Sequence, residues 1–132
     1  MIECLILGDS IGVGVAQHRP ECIAYAKVGI NSRDWVSTNI TKDLTANTVV
    51  ISLGSNDHMS IKTLKELFTL REVVKAKHVY WILPADNSSA QEAVSIVADK
   101  FEDKIVIITE LSKDKVHPTS KEYKRLATVT VN

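Results

Sequence analysis

The sequence predicts a three-layer α/β/α sandwich around a five-stranded parallel sheet, and three observations carry that expectation. Four apolar runs rich in β-branched residues, at residues 2–7, 48–53, 78–83 and 104–108, are bounded by Gly, Pro, Asn, Asp or Ser, and a weaker fifth lies at residues 22–28. These runs are nearly continuous in hydrophobicity instead of alternating, the pattern of strands covered on both faces. Helical patterns separate them, and alternation of strand and helix points to parallel pairing through right-handed crossovers.

The helices follow from spacing. A short one is expected at residues 31–39. The clearest spans residues 60–77, where Ile61, Leu64, Leu67, Phe68 and Val74 recur on one face and Lys62, Lys65, Glu66, Arg71, Glu72 and Lys75 fall mostly on the other. Ala90, Ala93, Val94, Val97 and Phe101 give another at residues 89–101, and the last opens at Pro118-Thr119-Ser120 and runs toward Leu126. Proline suits a first helical position that needs no N–H, and residues 128–132 are expected to fray. With no internal repeat, low-complexity tract or linker, residues 1–132 read as one domain.

Composition narrows the function. Sixteen basic residues balance sixteen acidic ones, so no global field draws the protein to nucleic acid or to an anionic membrane. The start, Met1-Ile2-Glu3-Cys4-Leu5-Ile6-Leu7, lacks the basic, long apolar character of a secretory leader, and no stretch approaches a membrane span. A cytoplasmic location is therefore expected, with association with a virion or other assembly left open and the sequons at Asn39 and Asn87 without meaning. Cys4 and Cys22 lie in apolar runs and read as reduced core thiols, since two cysteines make no disulfide framework. No CxxC or Cys/His cluster suggests zinc, and neither metal nor cofactor is expected. Oligomeric state is not legible.

In a parallel sheet of this kind, ligands bind where the carboxyl ends of strands lead into helices. Reading the residues just after each run gives Gly8-Asp9-Ser10-Ile11-Gly12-Val13-Gly14, then Gly29-Ile30-Asn31-Ser32, then Gly54-Ser55-Asn56-Asp57, and finally Asp114-Lys115-Val116-His117-Pro118. A serine, a glycine, an asparagine, a histidine and an acid three residues before it thus meet at one edge. These are the parts of acyl transfer: nucleophile, oxyanion donors, base and orienter.

Gly8-Asp9-Ser10 resembles the GDS block of the SGNH (GDSL-type) hydrolases, Gly54-Ser55-Asn56-Asp57 their GxND block, and Asp114-Lys115-Val116-His117 their DxxH block, while Gly29 stands where their isolated glycine falls. The blocks keep family order over residues 8–117. The resemblance implies the flavodoxin-like SGNH hydrolase fold and a serine esterase acting on short-chain, chiefly acetyl, esters, with small-molecule or glycan esters as substrates. It implies Ser10 as nucleophile, His117 as base and Asp114 as orienter of the imidazole. The oxyanion hole would comprise the backbone N–H groups of Ser10 and Gly29 and the side-chain NH₂ of Asn56. Acetylated glycan, simple ester and thioester all fit this machinery.

Each residue also has a plainer role. Ser10 could only cap the following helix, Asn56 could only form a turn, Gly29 could be an ordinary turn glycine and His117 a surface loop residue. Asp57 reads as structural, His18 and His78 as surface residues, and Trp35 and Trp81 as core packing. His58 could line the pocket or simply be solvated. Gly12-Val13-Gly14 resembles the start of a dinucleotide fingerprint, but Gln17 occupies the third position and no acid ends the second strand. So small a chain has minimal loops, and the wall at residues 84–89 is small and polar instead of greasy. A catalytically weak binding module for carbohydrate or a protein partner is the alternative reading.

Overall fold

A computed structural model describes residues 2–131. Its elements run β1 (Cys4–Gly8), α1 (Ser10–Ala16), β2 (Ile23–Ala26), α2 (Ser32–Asn39), β3 (Thr45–Ser52), α3 (Thr63–Val73), β4 (Lys75–Leu83), α4 (Ser88–Phe101), β5 (Lys104–Ile107) and α5 (Ser120–Val129). The five strands form one sheet in the order β2-β1-β3-β4-β5, every neighbouring pair parallel. This is the expected α/β/α sandwich.

The sheet explains why its strands look uninterrupted in sequence. Side chains alternate between faces, and both faces are covered. Leu5, Leu7, Val49, Ile51, Val79 and Trp81 point into one core with Trp35, Leu67, Leu70, Val94 and Val97 of α2, α3 and α4. The intervening Ile6, Val50, Tyr80 and Ile82 point into the other, with Ile11 and Val15 of α1 and Leu126 and Ala127 of α5. Trp35 and Trp81 are fully buried, as core residues should be. The edge strands β2 and β5 are half-exposed to exposed throughout, and the signal at residues 22–28 is the weaker for it.

Four expectations need correction. Helix α3 covers only Thr63–Val73, because Val74 turns to extended backbone and Lys75 pairs with Thr45 to begin β4. The lysine-rich stretch 75–77 keeps helical spacing by accident; ladder hydrogen bonds decide its conformation. Pro118 does not open α5. It forms an isolated antiparallel bridge with Leu111, and Thr119 is the cap, its hydroxyl accepting the Glu122 N–H. The end of α5 does not fray. Thr130 is fully buried, donates to the Leu126 carbonyl at 2.8 Å and accepts from Arg19, whose buried guanidinium also donates to the Ala127 carbonyl at 2.9 Å. Asn132 lies outside the described residues.

The fourth correction concerns the cysteines. Cys4 and Cys22 are joined in a disulfide, with Cα atoms 4.7 Å apart. The parallel register that pairs Leu5 with Ile23 sets the preceding residues, Cys4 and Cys22, side by side. Counting cysteines carries no information about that register. No helix among the described residues is long and apolar enough to cross a membrane.

Candidate active site

The site is built at the carboxyl ends of β1, β2 and β3, with one loop reaching in from β5. Strand β1 ends against β3, where the Asp9 N–H donates to the Ser52 carbonyl at 3.0 Å, and against β2, where the Lys27 N–H donates to the Gly8 carbonyl at 2.9 Å. Asp9 is the N-cap of α1, its Oδ1 accepting the Ile11 N–H at 3.0 Å. That disposes of the plainer reading of Ser10: the cap belongs to its neighbour, and Ser10 is the first helical residue. The Ser10 hydroxyl is instead in hydrogen-bond contact with His117 Nε2 at 2.8 Å.

His117 continues the chain of contacts. Its Nδ1 meets Asp114 Oδ2 at 2.6 Å. The loop holding both closes on itself, for the Ser112 N–H donates to the His117 carbonyl at 2.8 Å and Lys115 takes a left-handed φ of 59° at the turn. Asp114 Oδ1 accepts the N–H groups of His117 and Val116, each at 2.9 Å, and the Ser112 hydroxyl at 2.9 Å. These donors, the His117 N–H foremost, hold the Asp114 carboxyl well below the usual carboxylate range. An anion on Nδ1 favours the tautomer with the proton there, which leaves Nε2 free to accept from Ser10. The sequence therefore named three residues, 107 positions apart at the extremes, that do meet.

The candidate oxyanion donors fall around them. Gly29 sits at φ +81°, where a side chain is strained, in a turn closed by the Ile30 N–H on the Lys27 carbonyl. Nothing lies within 4 Å of where its Cβ would be, so its requirement is backbone conformation and its surroundings are open. Asn56 is exposed and donates one amide hydrogen to the Ile30 carbonyl at 3.0 Å, which sets it beside the Gly29 turn. Asp57 is structural, as expected: Oδ1 accepts the Ser32 N–H at 2.8 Å and Oδ2 the Thr63 hydroxyl at 2.7 Å, tying the starts of α2 and α3 to one loop.

Three further residues escape sequence reasoning. Asn87, read only as a loop wall, donates to the Gly54 and Asp57 carbonyls at 3.1 Å each while its Oδ1 caps α4; an Asn before a helix was the available signal. The Tyr123 ring lies over Gly14, where a Cβ would come within 2.3 Å of it. Close helix packing thus accounts for the glycine that looked like a nucleotide motif. The third is Glu122, a buried acid on α5. His58 is exposed and bonded to Ser60, and with Met59, Ile61, Thr63 and Asn87 it lines a cavity of about 410 Å³ next to Asn56 in the chain.

Asp9 has a measurable consequence. It is fully buried, and its Oδ2 has no hydrogen-bond partner among the described residues. Burial pushes its carboxyl up from 3.8 to about 6, against the N–H groups of Ile11 and Gly12. The folded protein then holds this proton more tightly than the unfolded chain. The associated stability is present below about pH 4 and lost as pH rises through about 6. Relative to Asp9→Asn, the wild type should lose about 2–3 kcal/mol of unfolding free energy between pH 4 and 7, read by urea titration at each pH.

Among the described residues the metal-ligand types Cys4, Glu21 and Cys22 cluster. The two sulfurs are bonded to each other, and they sit at the far end of the sheet from Ser10.

Fold and site together define an α/β sandwich bearing a Ser–His–Asp constellation at its strand ends. Solved structures share that fold. The chain is similar to a proposed acylhydrolase from Bacteroides fragilis, with a TM-score of 0.67 and 17% identity over 96% of this chain and 83% of that one. It is also similar to the C-terminal catalytic domain of Streptococcus pneumoniae peptidoglycan O-acetyltransferase A, solved with a methylsulfonyl adduct, with a TM-score of 0.63 and 16% identity over 97% and 91% of the two chains. No protein-family model matches the chain, and no curated protein does. At these identities the likeness is one of fold, a five-stranded parallel sheet flanked by helices.

Proposed function

We propose that the protein is a serine esterase that hydrolyses short-chain, chiefly acetyl, esters, with acetylated carbohydrate among its candidate substrates. The observation that carries this reading is the contact of Ser10 Oγ with His117 Nε2 at 2.8 Å, continued to Asp114 at 2.6 Å. In the first half-reaction Ser10 Oγ attacks the ester carbonyl carbon as its proton passes to His117 Nε2. The oxyanion is stabilised by the N–H groups of Ser10 and Gly29 and by the second amide hydrogen of Asn56. Collapse breaks the bond to the alcohol oxygen, which takes the proton from His117. Water then attacks the acyl-serine, giving its proton to His117, and Ser10 regains a proton as the carboxylic acid leaves. Asp114 stays ionised throughout and stabilises the imidazolium.

The walls support a small acyl group. A longer chain gains about 0.8 kcal/mol per buried CH₂ only where it meets apolar surface. Of the residues beside Gly29 and Asn56 in the chain, Ile30 and Met59 are apolar, whereas Asn31, Asp57 and His58 are polar. With p-nitrophenyl esters from acetyl to decanoyl, kcat/KM should peak at two to four carbons; a maximum at eight or more would reject the acetyl preference. Labelling of Ser10 by a covalent serine probe, mapped by mass spectrometry, tests the esterase reading against a binding module, which would stay unlabelled.

Asn56 gives a separate expectation. A donor to the oxyanion acts on the transition state, so Asn56→Ala should lower kcat by about 10²–10³-fold. A turn residue would cost thermal stability and leave kcat per folded molecule unchanged. Measuring both on one variant decides.

A further inference from the structure

We propose that Glu122 is a positioning residue: through Thr109 it fixes the take-off of the loop that brings His117 to Ser10. The inference rests on the reading of Ser10 and His117 as nucleophile and base. Glu122 is 3% exposed, one of few buried charges among the described residues, and a buried charge is costly unless its partners are fixed. Its partners are fixed. Oε2 accepts the Thr109 N–H at 2.5 Å and the Thr109 hydroxyl at 3.0 Å. Arg125 donates to Oε1 at 2.7 Å and to Oε2 at 2.9 Å, and its guanidinium reaches on to the Ile107 carbonyl at 2.7 Å. The Arg125 bonds keep the Glu122 carboxyl down at about 2, so it remains the anion those donors need.

Thr109 is where that anchor matters. The ladder between β4 and β5 ends at Leu83 and Ile107, so no strand pairing guides the chain beyond it. Yet β5 lies three places from β1 in the sheet, about 14 Å at the usual strand spacing, and the loop must carry His117 across that distance. Inside the loop the geometry is self-contained: Asp114, Ser112 and Val116 hold the imidazole to its own segment. A hairpin-like base, from the Leu111–Pro118 bridge to the Thr119 hydroxyl on Glu110 at 2.6 Å, makes it one unit. Such a unit can be misplaced as a whole while Asp114 and His117 stay together. The bonds from Glu122 to Thr109 set where it stands relative to α1.

The test compares two perturbations of the same helix. Glu122→Ala removes the anchor, and Thr130→Ala loosens the opposite end of α5, where Thr130 meets Arg19 and Leu126. On each variant kcat, KM and urea unfolding are measured, and crystal structures report the distance between His117 Nε2 and Ser10 Oγ. Glu122→Ala should lower kcat about 10²-fold per folded molecule, the scale for a displacement of about 1 Å, with KM little changed and His117 withdrawn from Ser10. Glu122→Gln, which keeps an acceptor for Thr109, should restore at least about tenfold of that loss, and Thr130→Ala should leave kcat within about twofold. If Glu122→Ala fails to fold, Glu122→Asp, shorter by one methylene, takes its place with the same expected direction. A wild-type kcat in the Glu122 variant, or equal losses in Thr130→Ala, overturns the proposal. If wild-type Ser10 proves inert to a serine probe, the functional reading falls, but the crystallographic position of His117 in the variants still decides whether Glu122 places the loop.

Discussion

Ser10→Ala should reduce hydrolysis of an activated acetyl ester by about 10³-fold or more, the scale for removing a member of a catalytic triad. The substitution is clean. Ser10 is not the cap of α1, because Asp9 provides that bond to Ile11, and the hydroxyl contacts His117 Nε2 at 2.8 Å. Removing it opens no core cavity, and His117 is partly exposed and can take water as a substitute partner. Stability should therefore stay within about 0.5 kcal/mol of wild type, as for a surface substitution. Activity assay and thermal melt on the same preparation check both halves. Substantial turnover in a well-folded Ser10→Ala protein would remove the nucleophile assignment, and with it the proposed chemistry.

Asp114→Asn should produce the other large loss. The carboxylate of Asp114 accepts from Nδ1, so Nε2 faces Ser10 without a proton. An amide at that place can donate to Nδ1 and favour the opposite tautomer, with a hydrogen on Nε2 facing the hydroxyl whose proton it should take. Burial makes such a change cost about 10⁴-fold in an enclosed triad. Asp114 is half exposed, so water competes, and about 10²–10³-fold in kcat is expected here. The pH profile separates the members. Because backbone N–H groups hold the Asp114 carboxyl far down, it stays ionised across the working range and adds no inflection of its own. A general base acts only in its unprotonated form, so the rate should fall on acidification. A profile flat on the acid side would contradict the assignment of a histidine base.

Much of this is readable in the sequence. Strands β1, β3 and β4 are apolar on both faces, so their residues betray them, and the sheet's carboxyl edge then picks out Ser10, Asn56, Asp114 and His117. Where local spacing conflicts with pairing, spacing loses: Lys75 to Lys77 looked helical and joined a strand. The disulfide was hidden because it depends on the register of β1 with β2, a relation between segments. Glu122 was hidden for a related reason. Two of its hydrogen bonds go to Thr109, one of them to backbone N–H, which leaves no mark on residue type. That Asp9 and not Ser10 caps α1 was likewise hidden, since both are good caps and only geometry distinguishes them.

The Ser10–His117 contact joins the first helix to the last loop, across 107 positions of chain. Loop closure over such a length is among the slower events of folding. While the polypeptide emerges from the ribosome, β1 and α1 are made well before β5 and the loop after it, and Ser10 then has no His117 to meet. On the proposed chemistry, a nascent or half-folded chain would be inert at Ser10. In a refolding experiment, reactivity at this serine would report the completion of the molecule, later than the recovery of its helices and sheet.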